Sequence, residues 1–153
     1  MAKSSINILK NCAGFSHNDR SEKKQPEYFL PVEFRKENEF DRNGIEAQKL
    51  LDTYIKEAKE NYKKETGQKF QGRVLNFEAV VNLNQNHTME DLKKLNENIE
   101  KEFGFRAVQT AIHRDEGHIK DGRPIYNYHA HIVFCNLDKN GKTLLKNMTK
   151  SDL

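Results

Sequence analysis

Residues 128–136, YHAHIVFCN, constrain the fold more than any other stretch of this chain. Successive side chains of a strand point to opposite faces. His129 and His131 therefore share one face, while Ala130, Ile132 and Phe134 share the other. Such a strand needs a sheet with one face buried on a core and one open to polar chemistry. Two segments have the pattern to form that core. From Ile45 to Thr66, Ala47, Leu50, Leu51, Tyr54, Ile55, Ala58 and Tyr62 recur at helical spacing, with Gly67 as a stop. Met89, Leu92, Leu95, Ile99 and Phe103 do the same behind Thr88, an N-cap followed by Glu90 and Asp91, and Gly104 ends the run.

Further strands are predicted at 4–10, 72–83 and 105–114. On the last, Val108, Thr110 and Ile112 are expected on one face and Gln109, Ala111 and His113 on the other. Residues 11–43, with Gly14, Pro26, Pro31 and many charges, read as a loop-rich excursion with room for one short helix. Residues 117–128 read as a polar, turn-rich join, and Asp138–Gly141 as a turn. The order β, loop, α, β, α, β, β implies an α+β fold. It has an antiparallel-rich central sheet, helices packed on one face and the histidines on the other. A chain of 153 residues suits one domain. Its last residues, Lys150 to Leu153, look like the start of another helix, so 1–153 is expected to be the N-terminal part of a longer protein.

Composition narrows the class. No apolar run approaches the roughly 20 residues that span a bilayer, and MAKSSINILKNCAGF lacks the apolar centre of a secretory signal. Cys12 and Cys135 are far apart, which excludes a disulfide framework and a cysteine-based zinc site. The chain reads as a soluble, cytoplasmic domain. With 26 Lys and Arg against 23 Asp and Glu, the net charge of +3 permits nucleic acid without demanding it. Local chemistry must decide.

Histidine supplies that chemistry: four of the six lie between His113 and His131. If Ile112 and Ile132 face the core, His113 joins His129 and His131 on the open face. Three imidazoles without a thiolate suit a borderline divalent metal such as Mn, Zn, Ni or Co and leave positions for water or substrate. Glu116 lies at the strand end, where it can reach the metal or a bound water. His118 is a spare in an apparent loop, and His87 sits in a polar turn. Near the N-terminus, Gly14-Phe15-Ser16-His17-Asn18-Asp19-Arg20 pairs a histidine, able to act as nucleophile or base, with an arginine able to grip phosphate.

Together these motifs resemble the Mob/Pre-type plasmid mobilisation relaxases of the HUH endonuclease superfamily. GFSHNDR is similar to that family's N-terminal His-Asn-Glu-Arg motif, and HRDE followed by HAHIVF to its metal-site pair. FCNLDKNGKTLLKNM looks like the stretch that follows. The resemblance implies a palm-like sheet and a nickase that cleaves one DNA strand at an origin of transfer. The enzyme would stay joined to the 5′ phosphate, starting conjugative mobilisation. His113, His129 and His131 would bind the metal, Glu116 would act as orienter or base, and His17 would be the nucleophile. Arg20 would contact phosphate or DNA.

The cofactor expected is a divalent metal ion, Mn2+ ahead of Mg2+, Zn2+, Ni2+ or Co2+. Single-stranded or supercoiled plasmid DNA would be the partner, with a conjugative coupling protein as a further one. Two features depart from the family pattern. Residues 117–128 join the motifs by a longer path, and Tyr28 in PEYFLP is a rival nucleophile, since most other HUH enzymes use tyrosine. Lys23 and Lys24, and Lys139, Lys142 and Lys146 beyond the metal strand, are the expected DNA-contacting cations. A rolling-circle replication initiator with the same site, or a non-catalytic DNA- or metal-binding module, are the alternative readings.

Overall fold

The computed structural model describes residues 5–10 and 14–145, so Cys12, Lys146 and the expected terminal helix fall outside the described residues. Among the described residues, seven strands and three α-helices follow one another: β1 Ile6–Lys10, α1 Phe15–Asn18, β2 Glu39–Phe40, α2 Gly44–Thr66, β3 Asn76–Asn82, α3 Met89–Phe103, β4 Arg106–His113, β5 Gly117–Lys120, β6 Arg123–Tyr126 and β7 His129–Cys135. A 3-10 turn, Val32–Phe34, lies between α1 and β2. Five strands form one sheet in the order β1-β3-β7-β4-β2, and every pairing is antiparallel. The expected α+β class and antiparallel sheet are found. No helix among the described residues is long and apolar enough to cross a membrane.

Both long helices begin and end where their capping residues dictate. Asn43 and Glu46 form a capping box at the start of α2, and Thr88 and Asp91 form one at the start of α3. Gly67 and Gly104 take the left-handed conformation that closes each helix.

The central strand is β7, and its alternation divides the core in two. Ala130, Ile132 and Phe134 join Phe77, Ala79 and Val81 of β3, Ile112 of β4 and Leu92 of α3 in one cluster. Phe77 and Phe134 stack there at 5.0 Å. Val133 and Cys135, on the histidine face, pack with Ala47, Leu51 and Ala58 of α2 and with Phe15 of α1. This corrects the expectation that the helices lie on one face. α3 covers the purely apolar face, while α2 and α1 cover the part of the histidine face beyond the histidines.

Two further local expectations change. The register of β4 against β7 shifts between Ala107 and Gln109. That bulge turns Val108 toward α2, with Val133, rather than toward α3 with Ile112. The join at 117–128 is not a loop. It is a two-stranded hairpin, β5 with β6, closed by Asp121 and Gly122 at φ 53° and 74°. Both turn residues having positive φ is the geometry Asp-Gly favours in a two-residue hairpin.

Candidate metal and nucleophile site

The site is assembled from four places in the chain, and β7 sets its position. His129 pairs with His113 across β4, and His131 pairs with Ala111 on β4 and Val80 on β3. The rings of His113, His129 and His131 therefore meet, with centroids 4.7 to 5.2 Å apart. α1 brings in His17, whose ring lies 5.4 Å from His113 and 5.3 Å from His131. Its neighbours anchor the helix. Phe15 is buried under α2, Asn18 donates to Gln109 Oε1 at 3.0 Å, and Asp19 accepts from the Gly44 amide at 2.6 Å. HNDR thus splits into structural anchors, Asn18 and Asp19, and two residues that face the site, His17 and Arg20.

Each strand imidazole has one nitrogen held by an oxygen. His113 Nε2 lies 2.9 Å from the Asn18 carbonyl, and His129 Nδ1 2.8 Å from the Asn127 carbonyl. His131 Nδ1 lies 2.7 Å from Glu78 Oε1. Oxygens of these kinds accept, so the three nitrogens carry hydrogen, and the opposite nitrogens of the neutral rings carry lone pairs. Those are His113 Nδ1, His129 Nε2 once its proton to Glu116 is released, and His131 Nε2. The first and last are buried without a hydrogen-bond partner. Orphaned buried acceptors, each aimed by an outer oxygen, suit a metal ion better than an empty polar core.

Among the described residues, candidate ligand atoms within 4.8 Å of one another form two overlapping trios, His17-His113-His131 and His113-Glu116-His129, so the three expected ligands are shared between them, His113 standing in both. Glu116 stands among the expected ligands: its Oε2 is 2.7 Å from His129 Nε2 and 3.3 Å from His113 Nδ1, the latter without hydrogen-bond alignment. Burial opposes ionisation of this carboxyl. The approach of the His113 ring, the hydrogen bond and positive charge of His129, and the charge of Arg20 outweigh that cost and hold it well below the usual carboxylate range. His129 is pushed upward: burial lowers it, and the Glu116 hydrogen bond and charge more than compensate. His113 is pushed down by its burial. Without a metal, then, burial disfavours a charged His113, while Glu116 favours a charged His129.

Arg20 is in the site but already engaged. Its guanidinium meets Asp115 at 2.7 and 3.2 Å and Glu116 at 3.1 Å, and it lies 4.4 Å over the Phe29 ring. These contacts hold Arg20 at φ 63°, a conformation that non-glycine residues rarely adopt. Tyr28 is 48% exposed with its ring against Phe29. Burial and the Glu116 charge raise its pKa, which leaves less phenolate for attack.

Lys23 and Lys24 are exposed just beyond His17. Lys139 and Lys142 belong to the turn after β7, where Asn61 of α2 donates to the Lys139 carbonyl at 2.8 Å. The histidines lie at the start of β7, roughly 20 Å away along the strand. His118 is on β5, exposed, and outside both trios. His87 Nδ1 accepts from the Asn84 amide at 2.9 Å and shapes that turn.

Sequence reasoning missed the carboxylates that orient the imidazoles. Glu22 Oε1 is 2.8 Å from His17 Nδ1, and Glu78 holds His131. Glu78 carried a readable signal, an acid between Phe77 and Ala79 in an apolar strand, and it is only 3% exposed. Asp115, which grips Arg20 and accepts from Asn38 at 2.7 Å, was also missed.

No protein-family model matches the chain, and no curated protein matches it either. Among solved structures, the chain is similar to the Mn-bound crystal structure of the MobM relaxase domain (MOBV; Mob_Pre) bound to oriT DNA of plasmid pMV158. The TM-score is 0.63 and the identity 17%, over 99% of this chain and 79% of that one. The likeness spans nearly the whole of this chain, and so this chain has the fold of a Mob/Pre relaxase domain.

Proposed function

We propose that this chain is the nicking domain of a plasmid mobilisation relaxase. The observation that supports this most is the position of His17: a helix more than 90 residues upstream in sequence sets its ring against two strand histidines. The fold likeness to a relaxase domain bound to oriT DNA agrees with it.

His113 Nδ1, His129 Nε2 and His131 Nε2 would hold a divalent metal, Mn2+ first among the choices, with Glu116 beside it. A metal there supplies positive charge for the oxygens of a scissile phosphate. His17 presents its Nε2 lone pair, because Nδ1–H is held by Glu22. Attack forms an N–P bond and breaks the bond from phosphorus to the 3′ oxygen, which takes a proton from water. The 5′ phosphate stays on His17 as a phosphoramidate. Arg20, fixed by Asp115, keeps a positive charge beside His17.

Tyr28 is the alternative nucleophile. The His17 reading is favoured because His17, unlike Tyr28, contacts the strand histidines. Incubation with Mn2+ and a labelled single strand carrying the cognate origin tests the proposal. A protein–DNA adduct on a denaturing gel is expected. DNA binding without any adduct would instead give the non-catalytic module.

A further inference from the structure

We infer that the β5–β6 hairpin is a phosphate-binding arm that holds the DNA strand next to the cleavage site. This rests on the DNA reading above and adds a contact surface to it. Residues opposite each other in a hairpin share a face. Lys120 pairs with Arg123 and His118 with Ile125, so one face carries two full cations and a histidine. All four residues are exposed. Their side chains make no hydrogen bond or ion pair among the described residues, and the only acid in the hairpin is Asp121, at its turn.

The other face is tied down. Tyr126 donates from its hydroxyl to the Phe34 carbonyl at 2.9 Å, and Lys36 lies 4.5 Å over its ring. The arm is therefore propped from one side and presents its cations on the other.

Its roots are parts of the metal site. Gly117 follows Glu116, and the Asn127 amide donates to the Glu116 carbonyl at 2.9 Å. The Asn127 carbonyl in turn holds His129. At Gly117, with φ 151°, a Cβ would collide with the Ile125 carbonyl oxygen, so the strands close tightly at the root. Four residues of strand carry the cations no more than roughly 13 Å from Glu116. Lys139 and Lys142, by contrast, stand at the far end of β7. Charge complementarity and this location fit an anionic strand entering or leaving the site, and the contacts are to phosphate, which carries no sequence preference.

The test is a binding titration of labelled oligothymidylate at several salt concentrations with Mn2+ present. Three proteins are compared: the unaltered chain, Lys120→Ala with Arg123→Ala, and Lys63→Ala with Lys64→Ala at the end of α2. The last makes the same change in net charge elsewhere. Each lost single-strand phosphate contact lowers the slope of log affinity against log salt by about 0.7. The hairpin variant should lose about 1.4 in slope and bind roughly ten-fold more weakly near physiological salt. The α2 variant should match the unaltered chain, and all three should melt alike. If the unaltered chain binds with a salt-dependent slope and the hairpin variant keeps it, the arm is overturned and the DNA reading stands. An equal loss in the α2 variant also overturns the arm, as a net-charge effect. If the unaltered chain shows no salt-dependent binding, the DNA reading fails and the arm with it.

Discussion

Glu22 Oε1 stands 2.8 Å from Nδ1 of His17, which fixes the one histidine of the site that no strand positions. A carboxylate on Nδ1–H sets the tautomer, so the lone pair is on Nε2, and it stabilises the positive charge that grows on the ring as it attacks. Glu22→Ala is expected to slow adduct formation about 10- to 100-fold, the size typical of lost outer-shell carboxylates. Glu22→Gln keeps an acceptor oxygen and should fall in between. Single-turnover rates measure both. Unchanged rates in Glu22→Ala would mean that the carboxylate does not act through His17.

Glu78 has the matching relationship to His131, at 2.7 Å across neighbouring strands. Glu78→Gln should weaken Mn2+ binding by about 10- to 100-fold while leaving one ion per chain at saturation. Titration calorimetry reads affinity and stoichiometry together. Equal affinity in the variant would remove Glu78 from the metal's surroundings.

His129→Ala and His131→Ala should each abolish tight metal binding. Both side chains lie on the histidine face, away from the α3 core, so the far-ultraviolet dichroism of each variant should match that of the unaltered chain. One ion per chain persisting in either variant would contradict the ligand assignment.

The His129–Glu116 pair makes the metal-free protein sensitive to pH. Glu116 is held below its ordinary value of 4.5, so its contribution is present above that value and is lost as pH falls through the folded one. His129 is raised above 6.5, so its contribution is present below 6.5 and is lost as pH rises through the folded value. Both describe one ion pair. In chelator, the Tm advantage of the unaltered chain over Glu116→Gln should therefore be largest between these two values and shrink on either side. A difference that stays constant with pH would rule the pair out as its source.

Much of this was legible from local chemistry. The cap at Thr88 and the glycines at 67 and 104 bound their helices because capping depends on residues a turn apart, whereas the cap at Asn43 was not read. The alternation in HAHIVF placed two histidines on one face because a strand has only two. What escaped was non-local or needed one extra residue. The bulge at Val108 broke an alternation that the sequence alone continued through it. Glu22 and Glu78 reach their histidines over 5 and 53 residues, distances no periodicity relates. The hairpin was the avoidable miss: Asp121-Gly122 between Lys120 and Arg123 is a strong turn signal, hidden by the polarity of its strands. Lys142 lies away from the histidines because the seven-residue strand β7 runs between them.

The most direct measurement is the mass-spectrometric location of the DNA phosphate on the protein after cleavage of a cognate strand with Mn2+. A single modified peptide bearing the phosphate on His17 is expected, with an acid-labile and alkali-stable linkage, and no adduct from His17→Ala. A modified peptide carrying the phosphate on Tyr28, or an adduct that His17→Ala still forms, would contradict His17 as the nucleophile.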